Sequence, residues 1–138
     1  MKKTIALCID PRGGMRFNKR RQVKDVEVIS DLVSRFGGEK IYISPFSAKL
    51  FLGCENVEVC DDPISACEEN SLCFIEEASL LHNLDSFDTI VVYVWGLNYP
   101  ADEHFTYDIS SLGFKRISKD KMKTQIHEKV TREVYKIT

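Results

Sequence analysis

Six positive charges, Arg12, Arg16, Lys19, Arg20, Arg21 and Lys24, fall between positions 12 and 24 with no acid among them. Guanidinium forks suit phosphate bidentately, so the run reads as an anion site for a nucleotide or short RNA, or as a solvated basic loop. Asp25 follows at once. It could act as a general acid, or hold a cationic or amidine-like ring by paired hydrogen bonds, or oppose the positive end of a helix dipole. Glu76 and Glu77 could take a metal, a ribose diol or a cation, or simply open a helix. His127, beside Glu128, could serve acid–base chemistry; exposed turn residues are the plainer account of that cluster.

Other chemistries lack their residues. No GxSxG, P-loop or GxGxxG occurs, and Ser47 has no base nearby in sequence. Cys8, Cys54, Cys60, Cys67 and Cys73 are odd in number and form no CxxC, and three lie in apolar, strand-like runs. They read as reduced structural thiols. His82, His104 and His127 lack ligand spacing, so no metal is expected. Outside the basic run acids prevail, at Asp61–Asp62, Glu68–Glu69 and Glu76–Glu77, and the formal net charge is −2. No extended track for a nucleic-acid backbone is evident.

The elements that must position these residues follow from periodicity. The chain has 138 residues, 43% hydrophobic and 29% charged, which suits one globular domain over 1–138. No apolar run approaches the ~18 residues of a membrane span. The stretch Ile5 to Ile9 is too short for a signal peptide and meets Asp10, so a cytoplasmic location is expected.

Lys3–Ile9 reads as a strand ending in a Pro/Gly turn. From about Lys24, Val26, Ile29, Val33 and Phe36 recur at helical spacing until Gly37-Gly38. Short strands are predicted at 40–44, 57–60 and 71–75, with helices at 47–52, 63–69 and 77–84. Residues 88–95 form the longest buried-strand candidate, and strand-like patterns return at 114–117 and 129–137. Such alternation predicts an α/β domain with a mostly parallel central sheet, flanking helices and an antiparallel C-terminal hairpin. Ligands collect beyond the carboxyl ends of parallel strands. That places Asp10, Ser44, Glu76 and Trp95 at one crevice, with Tyr99 as a second stacking ring and Arg12 to Arg21 on its first loop.

Order and local strings together resemble dihydrofolate reductase over nearly the whole chain. ALCID, GGMRFN and Asp25 are similar to that family's first strand, mobile loop and catalytic acid. IYISPFSAKLF stands where the family has its second strand and phosphate-binding helix, and IVVYVWGLNYPADEHF resembles its late strand and acid-x-x-Phe ending, at Asp102 and Phe105. The departures carry as much information. The family is longer by about one strand, missing here between Phe51 and Val57. Its phosphate-binding Arg and Thr are replaced by Pro45 and Ser47, its glycine pair by Glu76-Glu77, and its pterin-pocket aromatic by the Arg20-Arg21-Gln22 region. Two carboxylates beside a pyrophosphate repel it by about 4 kcal/mol per unit-charge pair at ~4 Å. The resemblance therefore implies the fold without NADPH in the usual mode.

The string CID..GGM.FN.RRQ..D also resembles a small bacterial family whose members sometimes carry the label ribonuclease Z. That hydrolase needs an HxHxDH metal cluster, which three scattered histidines do not supply. Three functions remain: a protein binding a small nucleotide- or pterin-like ligand, a nucleic-acid-acting protein such as a metal-dependent nuclease, and a non-enzymatic interaction protein. For the first, Asp25 and His127 are the acid–base candidates, and Asp10, Arg12, Arg20, Arg21, Ser44, Ser47, Glu76, Trp95 and Tyr99 the binding ones.

Overall fold

The computed structural model describes residues 2–138. Strand β1 (Lys3–Ile9) lies at the centre of a seven-stranded sheet with β4 (Ile41–Ile43), β5 (Val57–Val59), β6 (Ser71–Phe74), β7 (Thr89–Trp95), β9 (Phe114–Met122) and β10 (Val130–Ile137), in the order β5-β4-β6-β1-β7-β10-β9. The strands from β5 to β7 are parallel, and β10 pairs antiparallel with both β7 and β9. This is the expected α/β domain. Four of its parallel strands, β4, β6, β1 and β7, are largely buried on both faces and read as apolar runs, while the edge strand β5 is exposed. Ile5, Leu7, Ile90 and Val92 pack on one side, and Ala6, Val91, Tyr93 and Trp95 on the other.

Helix α1 (Val26–Phe36) covers the second side with Val28, Ile29 and Leu32. It is the one long helix of the described residues. Two of the other predicted helices shrink and one changes type. Residues 45–51, against the expected 47–52, and 78–80 form 3₁₀ turns, and α2 (Pro63–Ala66) is a single turn. They end in extended backbone at Leu52, Cys67 and Leu81, the last two well short of the expected 69 and 84, and left-handed Asn83 separates 78–80 from a further 3₁₀ turn at 84–86. Strand β9 runs five residues beyond the expected Ile117, because an edge strand exposed on both faces lacks apolar alternation.

The basic segment is ordered. Strands β2 (Gly14–Phe17) and β3 (Arg20–Arg21) form a hairpin, joined on its other edge by β8 (Glu103–His104). Its turn is Asn18-Lys19, both at positive φ, 53° and 59°, as a two-residue hairpin loop requires. Gly14 lets the hairpin leave β1 closely: a Cβ there would sit 2.6 Å from Ala101 Cβ and 2.7 Å from Asp10 Oδ2. The five cysteines are free thiols. No helix is long and apolar enough to cross a membrane.

Candidate functional site

A narrow cleft opens at the carboxyl ends of β1, β6 and β7, between α1 and the hairpin. Its volume is about 370 Å³ including the open mouth, little of it wide enough for a water molecule. Arg21, Gln22, Asp25, Glu76, Cys8 and Trp95 supply its polar and aromatic wall, and Met15, Val23, Ile29, Leu50 and Phe74 the apolar remainder.

Asp25 caps α1. Its Oδ1 accepts from the Glu27 and Val28 amides, while Oδ2 accepts from Thr124 Oγ1 at 2.6 Å and His127 Nδ1 at 2.8 Å. Four donors use the lone pairs a carboxylate offers. Burial pushes its carboxyl up, but the hydrogen bonds from Thr124 and His127 outweigh it, and the group titrates below the ordinary aspartate range. His127 is not an exposed turn residue: 1% exposed, it stacks on Trp95 with ring centroids 4.7 Å apart. Its Nε2 lies 2.8 Å from the Tyr99 hydroxyl. Since an ionised Asp25 can only accept, Nδ1 carries the proton. A neutral ring then accepts from Tyr99 at Nε2. Burial, then the Asp25 charge, raises the Tyr99 phenol's pKa.

Asp10 holds the chain around it. It accepts from the Arg12, Gly14 and Tyr99 amides and from Gln22 Nε2, ties that outweigh its burial and lower its pKa. With Nε2 on Asp10, Gln22 Oε1 is buried without a partner. The reversed amide would set oxygen against carboxylate. Glu76 accepts two bonds from the Arg21 fork and one from Ser47 Oγ at 2.7 Å, and Ser44 donates to Glu77 at 2.9 Å. Cys8 sits near these charges; burial, then Glu76 and Asp25, push its thiol well up, so it remains protonated.

The structure thus gathers Arg21, Asp25, Glu76 and Trp95 in one cleft, with His127 behind Trp95 and Ser47 behind Glu76. Asp10 and Ser44 are buried at strand ends and satisfied by neighbours. Arg12 and Arg20 are exposed, and Arg12 lines a separate groove with Tyr99 and His104. Thr124 and Phe46 were missed. Thr124 stands three residues before His127 and caps its turn, a local spacing that could have been read; nothing in the sequence marks Phe46. Among the described residues, no group of three or more His, Cys, Asp or Glu is arranged to hold a metal.

Comparison places this architecture. The chain is similar in structure to the dihydrofolate reductase from Enterococcus faecalis solved in complex with NADP(H) and RAB-propyl, with a TM-score of 0.70 and 10% identity, covering 98% of this chain and 95% of that one. No protein-family model matches the chain, and no curated protein matches it significantly. The fold is dihydrofolate reductase-like.

Proposed function

From a dihydrofolate reductase-like fold we propose that this protein binds a small nucleotide- or pterin-like ligand in the cleft, and does so without NADPH in the usual mode. The observation that carries the reading is Gln22 Oε1, a buried acceptor with no partner in the cleft wall. Leaving it so costs about 1–3 kcal/mol, which an N–H donor on a ring would recover. Trp95 offers that ring an aromatic wall and Leu50 and Phe74 apolar contact. Against the cofactor stand Glu76 and Glu77, whose carboxylates Ser47 and Ser44 hold at the ends of β6 and β4. A pyrophosphate there would face the Glu77 charge and a Glu76 carboxylate already engaged by Arg21.

Thermal unfolding with pterins, nucleoside monophosphates and NADPH tests this. A ligand at 100 times its Kd adds about 2.7 kcal/mol of stability. We expect a rise with a pterin or nucleotide and none with NADPH. A rise with NADPH removes the second part of the reading, and no rise with any pterin or nucleotide removes the first.

One observation favours a second reading. Arg16 and Arg21 are paired with Glu103 and Glu76, yet Arg12, Lys19, Arg20 and Lys24 have no ion-pair partner among the described residues. Short RNA held there would weaken steeply as salt rises, and Arg20→Ala would flatten the slope.

A further inference from the structure

The cleft already contains a cation, and it belongs to the chain. Arg21 donates through Nε to Glu76 Oε2 at 2.5 Å and through Nη2 to Oε1 at 2.8 Å, fork on fork. Nη2 also reaches the Phe46 carbonyl at 3.3 Å, and the guanidinium carbon lies 4.9 Å from the centroid of the Phe46 ring. Ser47 Oγ steadies the carboxylate from the other direction. A flat N–C–N cation is therefore met along its edge by a carboxylate and lies over the face of an aromatic ring. Neither contact depends on the rest of an arginine; both recognise any planar guanidinium or amidinium.

The two partners are not equally fixed. The Glu76 side chain is 9% exposed and the Arg21 side chain 22%. Glu76 is anchored at the end of β6, whereas Arg21 ends a two-residue strand at the rim of the hairpin. Of the two, Arg21 is the partner placed to leave. The cross-strand partner Arg16 has its own bidentate carboxylate, Glu103, and its guanidinium lies 4.7 Å from the Phe46 ring centroid, so the hairpin stays attached without Arg21.

We propose that Arg21 is an internal plug: its guanidinium occupies, on Glu76 and Phe46, a subsite for a ligand group of the planar amidinium or guanidinium class, which displaces it on binding. The proposal rests on the cleft being a ligand site and names a chemical group that its ligand carries. The narrowness of the cleft is then that of a closed state, with the wall formed in part by the side chain that moves.

Phenylguanidine is a suitable probe, with Trp95 fluorescence as the readout. Arg21→Ala should bind it at least tenfold more tightly than the unaltered protein, and Glu76→Gln should bind it at least tenfold more weakly than Arg21→Ala. If Arg21→Ala fails to fold, arginine-labelled unaltered protein gives a second measurement. The ion-paired Arg21 Nε–H, slow to exchange with solvent, should lose that protection as phenylguanidine saturates. Equal affinity with and without Arg21, or an Nε–H still protected at saturation, overturns the plug and leaves the thermal result with pterins and nucleotides untouched. Failure of Arg21→Ala to bind phenylguanidine also overturns it, and only silence of the pterins and nucleotides counts against the cleft.

Discussion

Asp25 is both a helix cap, one of the roles the sequence offered, and the base of a chain, Asp25–His127–Tyr99, that the sequence did not suggest. The structure joins them because the two carboxylate oxygens face different partners. Asp25→Asn removes the charge that His127 and Thr124 donate to, and should cost about 1.5–3 kcal/mol by chemical denaturation. The pH dependence has a definite sign. The folded pKa values of Asp25 and Asp10 lie below their unfolded value of about 3.9. Their contribution is thus complete above that value and is lost as pH falls through the folded one. Denaturation midpoints measured downward from pH 6 should drop below about pH 4, and less steeply in Asp25→Asn. Nitrogen NMR should find His127 as the Nδ1–H tautomer; the Nε2–H form would break the chain as described. Asp25 and Trp95 were legible as site residues. The burial of His127 was not, because its partners lie 102 and 28 residues away in the chain.

At the scale of elements, the hairpin β2–β3 turns a basic run into a wall. Two of its arginines reach carboxylates just beyond β6 and on β8, and the hairpin is as much a clamp as a charged surface. Its turn is imperfectly chosen: Lys19 stands at positive φ where glycine suffers no steric cost. Lys19→Gly should stabilise the protein by about 1 kcal/mol in a denaturant titration. Gly14→Ala should destabilise it by about 1–3 kcal/mol, since the new methyl meets Ala101 and the Asp10–Gln22 pair. The parallel strands were readable from unbroken apolar runs. The hairpin was not, because strands of four and two residues are too short to show a period, and their pairing is decided by Glu103 and His104 far along the chain.

For the whole molecule, the mostly parallel sheet, its antiparallel C-terminal hairpin and a crevice at the carboxyl ends of the strands came through in the sequence, since strands alternating with helices favour parallel pairing. Shortening of the helices expected at 63–69 and 77–84 did not, because their ends are set by single backbone conformations at Cys67 and Leu81. What results is a dihydrofolate reductase-like framework whose narrow cleft is walled in part by the Arg21–Glu76 pair. Trp95, the only tryptophan, stands in that cleft and reports on it directly. The most direct measurement is its fluorescence during parallel titrations with NADPH and with a pterin or nucleoside monophosphate. The account predicts saturable quenching by a pterin or nucleotide and no saturable response to NADPH up to millimolar concentration. Saturable binding of NADPH in the micromolar range, or a tryptophan indifferent to every pterin and nucleotide, would contradict it.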